Sequence, residues 1–207
     1  MTKKNTGLFI VFEGIDGTGK STQIKMLSDY LVQNGHEVLQ TREPTDGPYG
    51  RKIRSYYTNR EQITAQEELE LFILDRMEHV RNEIIPALQR GIAVLCDRYY
   101  LSTVAYQTAA GLSTGEILEK HDFAPIPDLA FILEIEVKEA IRRITMSRGD
   151  RLNDFEQAEA LQTVESVFKS LNLDYIRRIN GMDSIENVHQ SIVQEFDLFN
   201  KSVRSKS

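Results

Sequence analysis

Gly14, Ile15, Asp16, Gly17, Thr18, Gly19, Lys20 and Ser21 stand together near the start of the chain and fit the pattern G-x-x-x-x-G-K-[ST]. Glycines let successive backbone N–H groups curl around an anion without Cβ clashes, and a helix starting at Lys20 adds the positive end of its dipole. In that arrangement Lys20 reaches the β and γ phosphates of a nucleotide. The Ser21 hydroxyl ligates magnesium, and Thr22 follows on the helix. A plain Gly-rich turn has no need of the full spacing. The pattern implies nucleotide binding without naming a reaction, because GTPases, motor ATPases and small-molecule kinases share it.

Two further polar clusters close apolar runs: Thr41-Arg42-Glu43-Pro44 and Asp97-Arg98-Tyr99. Arginine offers phosphate a planar fork of donors, so an anion at Arg42 or Arg98 is held bidentately, a task lysine does less well. Asp97, following Ala93-Val94-Leu95-Cys96, has the place of an acid that orients magnesium through water. The competing reading makes it a cap on the next helix, paired with Arg98 at the surface. Cys96 reads as a small buried apolar residue, not a nucleophile.

The elements that position these groups follow from hydrophobic patterning. Residues 8–12 are an uninterrupted apolar run, suited to a strand buried on both faces. Ile24, Leu27 and Leu31 then recur at helical spacing from Lys20 until Asn34-Gly35. Further strands are expected at 36–41, 92–96 and 129–135, with a weaker one at 175–179. Pro44, Gly47, Pro48 and Gly50 mark a loop. Thr64 and Glu67 make a capping box for a helix carrying Leu69, Phe72, Ile73, Met77 and Val80 on one stripe, and Pro86 kinks or restarts it before Gly91. Strand and helix alternate, so the expected fold is α/β: a three-layer sandwich with a parallel, roughly five-stranded central sheet. One domain over residues 1–207 with a frayed polar tail at 200–207 accounts for the chain.

The 207 residues hold 25 Lys plus Arg against 31 Asp plus Glu, a formal net charge of −6, with 41% apolar and 27% charged residues. These values suit one soluble domain and argue against wholesale disorder. No apolar run is long enough for a membrane crossing, and the short polar start lacks the apolar core of a secretory signal, so a cytoplasmic protein is expected. Cys96 alone excludes an internal disulfide, and the histidines at 36, 79, 121 and 189 show no metal-ligand spacing. The acidic balance argues against coating nucleic acid. Within the basic total, however, arginine outnumbers lysine 15 to 10, so where the arginines fall matters more than the sum.

Several strings together carry a resemblance: Phe12-Glu13-Gly14 entering the phosphate loop, Thr41-Arg42-Glu43-Pro44, Asp75-Arg76 with His79, Asp97-Arg98-Tyr99 continuing to Ser102, and Ala105-Tyr106-Gln107. In this order and spacing the chain resembles the thymidylate kinases of the nucleoside monophosphate kinase group, over most of its length. The resemblance implies that Arg42 and Arg98 hold the phosphate of the accepting nucleotide, with Glu43, Pro44, Tyr99 and Ser102 around it. It further implies that Phe72 stacks on a pyrimidine, that Arg76 bonds a base carbonyl, that Tyr106 and Gln107 line the base and sugar pocket, and that Asp16 accepts from the sugar 3′-hydroxyl. Phe72 and Arg76 are four apart and so share a helical face, although core packing would explain Phe72 equally.

A cationic lid is expected at 147–154, where Ser147-Arg148-Gly149-Asp150-Arg151 precedes a helix capped by Asp154. Thymidylate kinases place a catalytic arginine in the phosphate loop or in the lid. Position 17 is glycine here, so the lid must supply it, Arg151 first and Arg148 second, with Arg142 and Arg143 facing solvent or neighbouring acids. The chain departs from the family pattern at Thr45-Asp46, Gly50-Arg51 and Glu134.

The resulting expectation is an enzyme that transfers the γ-phosphoryl of ATP, with Mg2+, to thymidine monophosphate, working as a homodimer on small nucleotides. The alternatives are a kinase for another or modified deoxypyrimidine monophosphate or a deoxynucleoside, and a non-catalytic ATP-binding regulatory module.

Overall fold

Each of the five strands among the described residues ends in a polar side chain, and the ends of two of them, Arg42 and Asp97, line the cleft. The computed structural model describes residues 7–57, 59–148 and 158–205. β1 (Phe9–Glu13), β2 (Val38–Arg42), β3 (Ala93–Asp97), β4 (Leu129–Glu134) and β5 (Ile176–Asn180) form one parallel sheet in the order β2-β3-β1-β4-β5. Hydrophobicity alone ends β1, β2 and β3 one residue early. A ladder is built from backbone groups, so Glu13 still pairs with Ile132, and Arg42 with Asp97, while their side chains are polar.

Nine helices among the described residues surround the sheet: α1 (Lys20–Gln33), α2 (Pro48–Ser55), α3 (Ala65–His79), α4 (Ile85–Gln89), α5 (Tyr100–Ala109), α6 (Thr114–Glu119), α7 (Val137–Arg148), α8 (Ala158–Ser170) and α9 (Ile185–Ser205). β1 is buried throughout and its alternate residues serve two layers. Ile10 and Phe12 pack with Leu27 and Leu31 of α1 and with Ile192 and Phe196 of α9. Phe9 and Val11 pack with Leu69 of α3, Leu101 and Val104 of α5, and Leu161 of α8. This is the expected three-layer α/β sandwich. Chain direction across the sheet switches about β1, which places a crevice at the carboxyl ends of β1 and β3. No helix of the described residues is long and apolar enough to cross a membrane.

Three details differ from the sequence expectation. Pro86 does not simply kink the long helix: the chain forms a π turn over Val80–Ile84, with the Ile85 N–H bonded to the Val80 carbonyl. Pro86 lacks an N–H and its ring crowds the preceding turn, and a one-residue widening accommodates both. α3 has the expected capping box at Thr64 and Glu67, yet Met77 is 48% exposed, and the buried face is mixed, with Glu68, Asp75, Arg76 and His79 turned inward. Over 200–205, part of the stretch expected as a frayed tail, α9 continues past the buried Phe196, and Phe199 packs on the same cluster.

Ile192 has no exposed surface and lies in the α1–α9 seam against the sheet. Ile192→Ala should therefore lower stability by about 2–5 kcal/mol in urea denaturation, and an unchanged midpoint would contradict the packing described.

Candidate active site

The turn after β1 is stabilised from within. Lys20 is buried and its Nζ donates to the Gly14 carbonyl at 3.1 Å and the Ile15 carbonyl at 2.9 Å. Thr18 Oγ1 donates to the Ile15 carbonyl at 3.0 Å. Burial, with Arg98 nearby, lowers the Lys20 ammonium to about 8, so a phosphate chain beside it favours the charged form. Gly17 has φ +81°, and a Cβ there would stand 2.7 Å from the Ala140 carbonyl at the start of α7. A side chain at that position therefore requires α7 to shift away from the loop.

A cleft of about 930 Å³ opens above the loop. On one side it is lined by Asp16, Gly17, Gly19, Lys20, Ser21 and Thr22, while Gly14, Ile15 and Thr18 of the same loop are buried and do not line it. Facing these are Arg42 at the end of β2 with Glu43 and Pro44 after it, Phe72 and Arg76 of α3, Arg98 and Tyr99 before α5, and Ser102 and Tyr106 within it. Gln107 is placed elsewhere: it is fully buried and donates to Glu68 Oε2 at 2.7 Å. The side chain of Arg148, together with Arg151 and the rest of the expected lid from 149 to 154, including the cap at Asp154, lies outside the described residues.

Arg98 joins the two sides. Its guanidinium donates to the Gly14 carbonyl at 3.0 Å, Ser102 Oγ at 3.0 Å and Asp16 Oδ1 at 2.8 Å, and it stands 5.4 Å from the centre of the Tyr106 ring. Its backbone has φ +69°, a left-handed conformation costing an arginine on the order of 1–3 kcal/mol, maintained where surroundings over-determine it. Glu13 supplies part of that surrounding by accepting from the Tyr99 N–H at 3.0 Å and from the Ser102 hydroxyl. Burial pushes the Glu13 carboxyl up to about 7, even though Ser102 and Arg98 oppose the rise. Cys96 is buried with its thiol turned to the Arg98 carbonyl, and burial raises it well above the usual thiol range, which suits an inert role.

Arg76 is 1% exposed and its charge is compensated by Glu43, with Nε donating to Oε2 at 2.8 Å. His79 Nδ1 meets the other Glu43 oxygen at 2.9 Å, and its Nε2 meets Thr41 Oγ1 at 2.7 Å. Burial resists the Glu43 charge, but Arg76 and His79 together hold the carboxyl below its ordinary value. Asp75 fixes the loop beyond by accepting from the Thr45 N–H at 2.8 Å and hydroxyl at 2.6 Å. Arg42 is more exposed and bonds both oxygens of Asp46 at 2.9 Å. Exposed pairs of this kind contribute little, so Arg42 can turn to a stronger anion.

Ser21 Oγ donates to Asp97 Oδ2 at 2.6 Å at the cleft floor. A hydroxyl and a carboxylate are hard oxygen donors, and two of them fit a magnesium ion that keeps water and phosphate as its other ligands.

Patterning missed Arg54, Tyr57, Thr103 and Arg143, all of which line the cleft. Arg54 bonds the Pro44 carbonyl at 2.9 Å and Asp46 at 3.0 Å. Its only sequence signal is a spacing of three from Arg51, which instead donates to the Asp46 carbonyl. Arg143 was expected to face solvent or acids. It does pair with Glu139 at 2.7 Å, but it also reaches the cleft because α7 packs on Gly17, which no spacing rule reveals.

A phosphate loop running into α1, a serine–aspartate pair beneath it and a second, arginine-lined wall across one cleft define a P-loop kinase of the nucleoside monophosphate type. Comparison with known proteins narrows the class. The family model described as "Thymidylate kinase" matches residues 12–192. A thymidylate kinase of Desulfotalea psychrophila is 56% identical over 92% of this chain and 95% of that protein. A probable thymidylate kinase of Pyrococcus abyssi is 42% identical over 90% and 94%, and a thymidylate kinase of Akkermansia muciniphila 46% identical over 90% of each. The chain belongs to the thymidylate kinase family.

Two outcomes follow from the geometry. Gly17→Arg should cost roughly 1–3 kcal/mol in thermal unfolding through its left-handed backbone alone, before the clash with Ala140 is added; a wild-type midpoint would contradict the packing. Glu13 has a folded pKa of about 7 against an ordinary 4.5, so the folded form holds an extra proton between those values. The stability it contributes is full below pH 4.5 and lost as pH rises through 7. The wild-type stability minus that of Glu13→Gln should therefore fall across that window in urea titrations, whereas a constant difference would contradict it.

Proposed function

We propose that the protein transfers the γ-phosphoryl group of ATP to thymidine monophosphate, giving thymidine diphosphate and ADP. The observation that carries this reading is that Arg98 bridges the phosphate loop and the wall bearing Arg42, Phe72 and Arg76 within one cleft. A phosphate oxygen of the acceptor attacks the γ-phosphorus in line, and the bond from that phosphorus to the bridging oxygen breaks, with its electron pair leaving on ADP. The attacking oxygen is already anionic, so no general base is needed.

In this reading the loop N–H groups and Lys20 hold the donor phosphates, and Arg42 and Arg98 hold the acceptor phosphate. Arg98 turns from Asp16 toward phosphate on binding, leaving Asp16 to accept from the sugar 3′-hydroxyl. Phe72 stacks on the base and Arg76 donates to a base carbonyl. Ser21 and Asp97 would hold magnesium, which when bound neutralises charge on the β and γ phosphates. The lid arginines, Arg151 foremost, complete charge neutralisation and exclude water. The chain also pairs with a second copy, with the exposed Leu74 and Met77 of α3 and Ile85 of α4 offering one apolar surface for it; sedimentation equilibrium measures it.

A coupled assay of ADP formation against a panel of nucleosides and monophosphates tests the reading. Turnover should be fastest with thymidine monophosphate; turnover confined to nucleosides, or none with any acceptor, would overturn it. Arg98→Ala should lower kcat by roughly 10³-fold, and Arg151→Ala by a factor of hundreds, and near wild-type turnover in either would remove that residue from the role assigned.

A further inference from the structure

His121 follows α6 in the turn before β4, far in sequence from every motif of the site, yet it touches the deepest charge in the cleft wall. It is 3% exposed, and its Nε2 lies 2.5 Å from Nη1 of Arg76. A guanidinium only donates, so Nε2 must accept. The ring then carries its proton on Nδ1, which donates to the Ile117 carbonyl at 2.6 Å. Both nitrogens are thereby assigned by their partners, and the imidazole is neutral.

Arg76 has five N–H donors. Nε goes to Glu43, Nη2 reaches both Glu43 and Thr103 Oγ1, and one hydrogen of Nη1 goes to His121. One Nη1 hydrogen is left by this count, and Arg76 lines the cleft. The guanidinium is planar, so His121 on that same nitrogen, with Glu43 and Thr103 on the other two, fixes the direction in which the remaining N–H points.

We propose that His121 is a positioning residue for the accepting nucleotide: by accepting from Arg76 Nη1 it aims the remaining N–H of that nitrogen into the cleft, toward a carbonyl of the bound base. This rests on the assignment of Arg76 to the base made above. Burial, and then the Arg76 charge, hold the His121 imidazolium down at about 4, so the accepting form persists at neutral pH. The ring is kept in place by packing near Tyr100 and Phe123, with centroids 6.0 and 6.2 Å away.

The tautomer is measured first, by long-range proton–nitrogen correlation NMR of the ¹⁵N-histidine-labelled full chain at pH 7. A neutral ring protonated on Nδ1 supports the proposal; a ring protonated on Nε2, or on both nitrogens, overturns it. Kinetics then test the consequence. His121→Leu should raise the acceptor KM about tenfold, the scale of one lost hydrogen bond to a charged group, and leave the ATP KM within about twofold. His121→Gln, whose side-chain oxygen can accept in place of Nε2, should recover most of the loss. Equal damage to both KM values, or no recovery with glutamine at a wild-type unfolding midpoint, overturns the positioning role. Arg76→Met separates the two claims: if it leaves the acceptor KM unchanged, the base assignment fails, whatever the tautomer.

Discussion

The Arg98 side chain crosses from the end of β3 to the phosphate loop at the end of β1, donating to the Gly14 carbonyl and the Asp16 carboxylate while resting against Tyr106. With the Ser21–Asp97 and Glu13–Ser102 hydrogen bonds, that crossing joins the two walls of the cleft beyond the sheet ladder. The backbone at Arg98 is left-handed, and Glu13 holds the following turn by bonding the Tyr99 N–H and the Ser102 hydroxyl. Strain at one residue is thus maintained by a buried carboxyl from a neighbouring strand. Such an arrangement fixes a cation where two phosphorylated ligands must meet, which is what transfer between phosphates requires.

The acceptor wall obeys a related constraint. Arg76 and Glu43 are both almost wholly buried, and taking either charge out of water alone would be severely unfavourable. The pair is tolerable because Thr103 and His121 accept from Arg76 and His79 bonds Glu43, with Thr41 in turn holding His79. Burial of this kind contributes little net stability but leaves a guanidinium with few alternative orientations. Arg42 is the opposite case, exposed and paired with Asp46 at the surface, so it can reorganise around a ligand. One wall therefore combines a rigid donor deep in the cleft with an adaptable one at its mouth.

Much of this was legible in the residue order. β1, β3 and β4 read clearly because a strand buried on both faces is a short apolar run, and the phosphate loop read clearly because its chemistry dictates its spacing. β5, with Arg177 and Arg178 inside it, gave a weak signal because an edge strand is exposed on much of its surface. Met77 was misplaced because α3 buries polar groups, which a stripe of apolar residues does not anticipate. His121, Arg143 and Thr103 could not be read at all. His121 and Thr103 act through tertiary contact with Arg76, 45 and 27 positions away, and Arg143 reaches the cleft because α7 packs through Ala140 on Gly17. The lid expected at 147–154 falls largely outside the described residues, so its arginines remain part of the proposal alone.

The central claim is that one cleft, centred on Arg98, transfers phosphoryl between two phosphates. It is tested most directly by following the label from ATP carrying ¹⁸O on its γ-phosphoryl oxygens, mixed with thymidine monophosphate and magnesium, in ³¹P NMR. The account predicts ¹⁸O-shifted signal on the β-phosphorus of thymidine diphosphate, appearing in step with ADP. Label released only as inorganic phosphate, or no loss of label from ATP, would contradict it.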